Sequence, residues 1–272
     1  MIPKTGPADA ITTSGRWHDL GRRALSAIIL SGLGIAAIAA GGLWFACFVA
    51  LSVAIMVWEL AWILGSPVRR RLGLLAGGAC LAVALLPAGW GLPFLILPAL
   101  YGAHEVVRDR ISFALFTILI ALAGYGLIHL REDVGMIWLI WLVLVVVITD
   151  IFGYFAGRLI GGPKFWPKIS PKKTWSGAVA GWIGAGGIGM GYVIWAGAQP
   201  QIVGISMAMS MAAQMGDIAE SAVKRRAGVK DSSNLIPGHG GFFDRFDGVL
   251  GAAVFLLLIE PVIGLPPVVA WQ

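Results

Sequence analysis

Charged residues and cysteines are scarce in this sequence. Of its 272 residues only 12% are charged, whereas 58% are hydrophobic, and the mean hydropathy is +0.85. This composition is typical of a polytopic membrane protein and leaves no room for a separate soluble domain. Both cysteines, Cys47 and Cys80, lie inside apolar runs, so a disulfide framework or a cysteine metal site is not expected.

Two familiar sequence signals are also missing. No G-x-x-x-x-G-K-[ST] run is present, which argues against a soluble P-loop nucleotide-binding protein. The polar segment Met1 to Leu20 has no small-residue cleavage site and leads into an apolar run that is too long for a signal peptide. We therefore expect no cleaved signal peptide.

Long apolar runs predict an all-α polytopic integral membrane protein. At roughly 20 residues per span, the length accommodates about nine transmembrane helices. Pro87, Pro93 and Pro98 predict a kinked or re-entrant helix in the fourth run. The predicted spans are 24–42, 43–64, 72–88, 92–105, 111–129, 136–157, 176–196, 202–219 and 248–269.

The basic residues predict the orientation of these spans. With a cytoplasmic N-terminus, all but one of the 20 lysines and arginines fall in cytoplasmic segments, and Arg131 is the exception. This separation agrees with the positive-inside rule. The net charge of +6 therefore reflects topology and a binding site, and no nucleic-acid partner is expected.

A dense polar block, Ser221 to Gly248, stands between apolar runs. It combines five cations, three carboxylates, a histidine and five glycines. Such groups are costly at a membrane boundary unless they bind something charged. Carboxylates can hold a divalent cation, and glycine-rich backbone can approach phosphates closely. The block therefore predicts a site for a phosphate-rich, metal-bound ligand.

Two further acids lie near the cytoplasmic ends of predicted helices. Asp150 shares a helix face with Tyr154 and Arg158, and this pattern fits either a ligand site or an Asp–Arg pair at the interface. Asp217 belongs to a polar stripe that favours a metal or phosphate site over a helix-packing network. The stripe comprises Gln214, Asp217, Ser221 and Lys224. Its neighbour Glu220 is expected only to cap the helix or to pair with Arg225 or Arg226.

Other polar groups cluster in the two long cytoplasmic segments. Asp244 and Asp247 are spaced i and i+3, so both can aim at one Mg²⁺ ion. His239, flanked by glycines, favours a phosphate contact. Lys172 and Lys173 fit either topology and anionic-lipid binding or a defined turn and helix cap with Thr174 and Ser176.

Four motifs together resemble those of phosphatidate cytidylyltransferases (CDP-diacylglycerol synthases). They are T-D-I-F-G-Y-F-A-G-R (149–158), I-S-P-K-K-T-W-S-G (169–177), Q-M-G-D-I-A-E-S (214–221) and the run from Ser221 to Asp247 that contains I-P-G-H-G-G and D-R-F-D. They occur in the family's order and cover the C-terminal half. The resemblance implies N-terminal transmembrane helices at 1–135 and a catalytic region at 136–272, with an active site on the cytoplasmic side of a bacterial inner membrane.

The resemblance also implies an activity and roles for the polar residues. Such enzymes transfer CMP from CTP to phosphatidic acid with Mg²⁺, giving CDP-diacylglycerol and pyrophosphate; a second, monovalent ion and a homodimer are left open. Predicted metal ligands are Asp217, Asp244 and Asp247, and Lys173 joins them as a catalytic residue. Predicted substrate-binding residues are Asp150, Lys172, Thr174, Ser221, Lys224, Arg225, Lys230, Asp231, His239, Gly240, Gly241 and Arg245.

Three rival functions remain. A CDP-alcohol phosphatidyltransferase needs a D-G-x-x-A-R run, which is absent. A CTP-dependent lipid-alcohol kinase would transfer the γ-phosphate of CTP instead of CMP. An ion-coupled transporter could use as a relay the acids Glu59, Glu105, Asp150, Asp217 and Glu260, but it would predict acids spread through the bilayer and an inverted repeat.

Overall fold

The computed structural model of the chain describes residues 14–87, 89–236 and 240–265, and it describes side chains from residue 24 onward. Its helices are α1 (Ser14–Ala40), α2 (Gly42–Ile63), α3 (Arg69–Leu85), a 3-10 helix (Leu92–Ile96), α4 (Leu97–Glu105), α5 (Arg110–His129), a π-helical turn (Leu130–Val134), α6 (Met136–Leu159), α7 (Trp175–Trp195), α8 (Ile202–Arg226) and α9 (Phe243–Ile263). Two short strands, β1 (Lys164–Trp166) and β2 (Ser170–Thr174), pair antiparallel between α6 and α7.

In the described part of the chain, six helices are long and apolar enough to cross a membrane. They are α2, α5 with its π-helical turn, α6, α7, α8 and α9. The apolar part of α1 (Ala24–Ala40) and α3 are shorter. The prediction of an integral, helical membrane protein is confirmed, whereas the small β-hairpin was not predicted.

Two predicted spans differ from the helices observed. Residues 92–105 divide into the 3-10 helix and the nine-residue α4, and each begins with a proline in its first turn, which agrees with the predicted interruption. The last predicted span, 248–269, begins earlier, at Phe243, so Asp244 and Asp247 belong to its first turns. Residues 266–269 lie outside the described part of the chain.

The C-terminal helices pack in sequence, α6 on α7, α7 on α8 and α8 on α9, and α5 packs along α9. Polar side chains join α6 to α8 within this bundle. The buried Thr149 hydroxyl donates to Ser210 Oγ at 2.7 Å, and the indole N–H of Trp141 donates to Ser206 Oγ at 3.0 Å. These bonds satisfy polar groups that hydrocarbon would leave unpaired, so they define how α6 and α8 face each other.

Glycines permit the closest helix contacts. A Cβ on Gly177 would lie 2.6 Å from the carbonyl oxygen of Gly153, and a Cβ on Gly216 would lie 2.4 Å from that of Asp247. The first contact brings the backbones of α6 and α7 close together. Gly187 and Gly191 of α7 have no atom of the described residues within 4 Å of an added Cβ, so this pair makes no such close contact.

The start of α5 is tied to the end of α8. Asp109 caps α5 by accepting from the backbone N–H of Ser112, and its Oδ2 lies 3.4 Å from Arg226 Nη1. The hydrogen bond from the Ser112 hydroxyl holds the pKa of Asp109 below its ordinary value. The last turn of α8, which carries polar-block residues, is thus anchored to the N-terminal half of the chain.

Candidate active site

The last residues of the β-hairpin, Lys173 and Thr174, lie close to α6 and to the middle of α8. Thr174 is the N-cap of α7, and its Oγ1 accepts from the backbone N–H of Gly177 at 3.2 Å. The adjacent Lys173 reaches α8, where its Nζ lies 2.6 Å from Asp217 Oδ2. The predicted turn and cap are confirmed, and the cap directs Lys173 toward a carboxylate rather than toward solvent.

A polar cavity of about 430 Å³ lies between this hairpin and α6, α7 and α8. Asp150, Tyr154 and Arg158 line it together, as their shared helix face predicted. Arg158 donates to the Tyr154 hydroxyl at 2.8 Å, which keeps the guanidinium beside the cavity. Lys172 and Lys173 line its other side. The cavity therefore combines three cations with a carboxylate, a combination suited to phosphate groups.

Asp150, Asp217 and Asp247 bring negative charge together from α6, α8 and α9. Asp150 interacts electrostatically with Asp217, Lys173 and Arg245, and Asp247 interacts with Asp217 and Asp150. The close approach of α8 to α9 at Gly216 makes this convergence possible. Three mutually repelling carboxylates require positive charge nearby, and Lys173 supplies part of it.

Asp244 has different surroundings from the other acids. Its Oδ1 accepts from Lys224 Nζ at 2.5 Å, and its Oδ2 accepts from the backbone N–H groups of Ser232 and Gly241 at 2.9 and 2.8 Å. Glu220, which is 1% exposed, lies 2.5 Å from the same Lys224 ammonium. The prediction that Glu220 pairs with Arg225 or Arg226 is therefore wrong. Buried acids need a paired charge, and Lys224 lies one turn along the same helix.

The predicted metal ligands differ in how well their surroundings suit a Mg²⁺ ion. Among the described residues, no group of three or more His, Cys, Asp or Glu side chains could hold a metal ion by itself. Mg²⁺ is usually held by one or two carboxylates together with substrate phosphates. Asp217 fits that pattern because its side chain is 32% exposed beside the cavity, and Asp247 interacts with it, whereas the side chain of Asp244 is 8% exposed and accepts from Lys224 and two backbone N–H groups.

The remaining predicted site residues lie around these carboxylates. Ser221 donates to Asp217 Oδ1 at 3.3 Å, as expected for the polar stripe, whereas Gln214 bonds to Trp182 and to the Ala178 carbonyl and thus joins α7 to α8. Gly240 lies near Asp244. Six predicted substrate contacts are exposed: Asp150, Lys172, Arg225, Lys230, Asp231 and Arg245. His239 lies outside the described residues, as do Pro237 and Gly238.

The sequence reasoning gave Glu59 no part in this site. Glu59, fully buried in α2, accepts hydrogen bonds from Ser232, Ser233 and the backbone N–H groups of Phe242 and Phe243. A lone carboxylate within the apolar run 43–64 was the available signal, because such a group requires specific partners in a membrane protein. Its partners could not be identified from spacing, since they lie far along the chain.

A second cavity is almost wholly apolar. It measures about 550 Å³ and lies between α1, α2, α5, α6 and α9. Arg245 and Ile236 line it, together with side chains such as Leu127, Val143 and Val249. Arg245 also interacts with Asp150, which lines the polar cavity. Both cavities border α6, the apolar one at Val147 and the polar one at Asp150.

Known proteins resemble a large part of this chain. A family model described as Cytidylyltransferase family matches residues 21–261. Proteins named phosphatidate cytidylyltransferase are similar in Brucella abortus (44% identity over 124 residues, 45% of this chain and 46% of the relative), Staphylococcus saprophyticus (38% over 151 residues, 53% and 58%) and Bacillus subtilis (36% over 163 residues, 56% and 58%). The chain spans about half the length of the curated relatives it matches.

Proposed function

The chain belongs to the cytidylyltransferase family, and on that premise we propose that it transfers CMP from CTP to phosphatidic acid, giving CDP-diacylglycerol and pyrophosphate. One observation carries the proposal. A cation-lined polar cavity and an apolar cavity border neighbouring parts of α6, at Asp150 and at Val147, and Arg245 of the apolar cavity interacts electrostatically with Asp150. A reaction between a water-soluble nucleotide and a lipid requires two such spaces beside each other.

The polar cavity suits the triphosphate of CTP. Lys172, Lys173 and Arg158 line it, and cations at this spacing neutralise phosphate oxygens. Lys172, which is exposed, would hold a phosphate as a point charge, whereas Lys173 lies beside the acids. Arg225, Lys230 and His239 remain proposed contacts of the triphosphate or the leaving pyrophosphate.

The reaction needs no strong general base. An oxygen of the phosphatidate phosphate, already ionised at neutral pH, forms a bond to the α-phosphorus of CTP. The bond from that phosphorus to the oxygen bridging toward the β-phosphorus breaks, and pyrophosphate leaves with the electron pair. Positioning and charge neutralisation therefore account for catalysis, and Lys173 is the cation best situated to oppose charge that develops at the α-phosphorus.

We assign Mg²⁺ binding to Asp217 and Asp247, with Asp150 as a third candidate. Their mutual electrostatic interaction and the pairing of Asp217 with Lys173 support this set. When bound, the ion would supply positive charge against phosphate oxygens. Asp244, predicted as a ligand, is assigned instead to holding Lys224 and the loop before α9.

The apolar cavity suits an acyl chain of the lipid substrate. Its walls come from five helices, and Arg245 at one end offers positive charge to a phosphate headgroup. The hydrocarbon of the bilayer is as apolar as this space, so close packing and the Arg245 charge on the headgroup, rather than transfer from water, would hold the lipid there. Gly240, Gly241, Ser221 and Thr174 would shape the site through backbone and hydroxyl contacts.

We further propose a membrane arrangement of about nine spans with the N-terminus and the active site on the cytoplasmic side. The distribution of lysine and arginine supports it, since Arg131 alone falls outside. The bacterial relatives favour the inner membrane as the location. CTP is a cytosolic anion, which requires the cation-lined cavity to open toward the cytoplasm.

A radiolabel assay tests the proposed function. Purified protein receives CTP labelled at either the α- or the γ-phosphate, with phosphatidic acid or diacylglycerol as the acceptor, and with and without Mg²⁺. Label from the α-phosphate should enter lipid and label from the γ-phosphate should leave as pyrophosphate. Transfer of the γ-label to diacylglycerol would identify a lipid-alcohol kinase, and absence of any transfer to lipid would reject both enzymes in favour of a transporter.

A further inference from the structure

Glu59 gathers four hydrogen-bond donors around one fully buried carboxylate. Ser232 Oγ donates at 3.2 Å, Ser233 Oγ donates at closer range, and the N–H groups of Phe242 and Phe243 donate at 2.9 and 2.6 Å. Charge of this kind is expensive to bury without partners. Here a carboxylate of α2 accepts hydrogen bonds from a loop and from a helix start in the other half of the chain.

Two of these donors are N–H groups at the start of α9. A helix leaves its first N–H groups without intrahelical partners, and α9 receives no side-chain cap from its own N-cap residue, Phe242. Glu59 takes that role from α2, and its negative charge suits the positive end of the α9 dipole. The direction in which α9 begins is therefore set by a residue of α2.

The same contacts extend to the site acids. Ser232 offers its hydroxyl to Glu59 and its backbone N–H to Asp244, whose other oxygen holds Lys224. A Cβ on Gly241 would lie 1.8 Å from Ser232 Oγ and 2.7 Å from Glu59 Oε1, so the loop backbone is pressed against this pair. Glu59, Ser232 and Asp244 thus form a continuous polar path.

We propose that Glu59 is a positioning residue that caps α9 from α2 and so aims Asp247 at the reaction centre. The proposal rests on the function proposed above. Asp247 lies in the second turn of α9, and a change in the direction of the first turn moves it. Glu59 itself lies against the loop and the helix start.

Glu59→Gln tests this role with little change of size. A carboxylate accepts from all four donors, whereas an amide has one oxygen and an NH₂ group that faces another donor. At least one N–H at the start of α9 then loses its acceptor. Ser233→Ala removes a single neutral donor and leaves the two N–H bonds, so it offers a milder variant that keeps the buried charge paired.

The experiment compares Glu59→Gln, Ser233→Ala and, as control, Glu105→Gln, whose acid lies beside His104 at the end of α4. Kinetics and hydrogen–deuterium exchange are measured on each purified full-length variant. Glu59→Gln should lower kcat by about tenfold or more, because a small displacement of Asp247 from the reaction centre slows the chemical step, with the KM for CTP within about twofold of wild type because Arg158, Lys172 and Lys173 are not substituted.

Exchange at the amides of residues 240–248 should become faster in Glu59→Gln, more weakly so in Ser233→Ala, and should not change in Glu105→Gln. Unchanged kcat in both Glu59→Gln and Ser233→Ala would overturn the proposal, as would exchange that accelerates throughout the protein with no excess at 240–248. If wild type transfers no α-label to lipid, the proposed function fails, and the exchange comparison alone still decides whether Glu59 holds the start of α9.

Discussion

Lys173, the residue before the N-cap of α7, and Asp217, in the middle of α8, form an ion pair with 2.6 Å between Nζ and Oδ2. About a third of each side chain remains exposed, so the pair borders the polar cavity rather than the sealed core. A lysine already held by a carboxylate is fixed in place before substrate arrives. Such preorganised charge is what transition-state stabilisation requires.

Replacing Lys173 should therefore affect chemistry more than binding. We expect Lys173→Ala to lower kcat by about 100-fold with little change in KM, and Lys172→Ala to raise KM for CTP with kcat nearly unchanged. Lys173→Arg should retain less activity than Lys172→Arg, because the pair with Asp217 has one defined geometry. Steady-state kinetics against CTP and phosphatidic acid measure the difference, and identical profiles for the two alanine variants would reject this division of roles.

Asparagine substitutions should separate metal-binding acids from structural ones. Asp217→Asn and Asp247→Asn keep size but lose charge, so activity should fall by about 100-fold or more at saturating Mg²⁺ with unfolding temperature nearly unchanged. Asp244→Asn should instead reduce stability by about 3 kcal/mol, since it leaves buried Lys224 with one carboxylate fewer. Thermal unfolding in detergent, with exposed Asp231→Asn as the stability control, tests the assignment; an unaltered unfolding temperature for Asp244→Asn would contradict it.

Close packing of α8 against α9 should be necessary for activity. A Cβ at Gly216 would meet the Asp247 carbonyl at 2.4 Å, so Gly216→Ala forces the two helices apart and shifts Asp217 from Asp247. A displacement near 1 Å typically costs about 100-fold in rate. Gly204→Ala, in the same helix with no atom within 4 Å of the new Cβ, is the matched control and should keep wild-type kcat. Equal activity of both variants would refute the packing requirement.

Filling the apolar cavity should impair lipid binding selectively. Gly34 lines the cavity, and an added Cβ there meets nothing within 4 Å, so Gly34→Leu places a side chain in the space assigned to an acyl chain. We expect KM for long-chain phosphatidic acid to rise about tenfold, because the added side chain overpacks the space assigned to the acyl chain, while KM for CTP stays constant. Gly32→Leu, on the same helix and equally unobstructed, is the control. A parallel rise in both variants would remove the cavity from lipid binding.

Labelling from one side of the membrane tests the orientation. In a cysteine-free background, Lys168→Cys in the β-hairpin loop should react from the cytoplasmic side and Gln199→Cys, between α7 and α8, from the other side. Both positions are exposed, whereas the neighbouring Ala198 is 7% exposed and would label poorly. Labelling of both cysteines from the same side would invalidate the proposed topology.

Short-range spacing predicted much of the candidate site. Helical periodicity placed Asp150, Tyr154 and Arg158 on one face, and these residues line one cavity. It also placed Ser221 beside Asp217, where the structure has a hydrogen bond of 3.3 Å. These predictions succeed because an α-helix fixes the relation of residues three and four apart, whatever surrounds it.

Long-range pairings could not be predicted in this way. Glu220 was expected to meet Arg225 or Arg226 and instead lies against Lys224, since the rotation of α8 buries that face under α9. Which carboxylates share a cavity and which hold the loop depends on helix crossing, and crossing depends on small contacts such as Gly216 against α9.

Composition and periodicity by themselves determined a helical membrane protein whose polar residues gather in the C-terminal half. Tertiary structure alone decided that Lys173 pairs with Asp217, that Asp244 pairs with Lys224 and that Glu59 holds the start of α9. The physical reason lies in how each contact arises. Hydropathy and helical spacing are properties of contiguous sequence, whereas buried charge pairs form only after several helices have packed and excluded other partners.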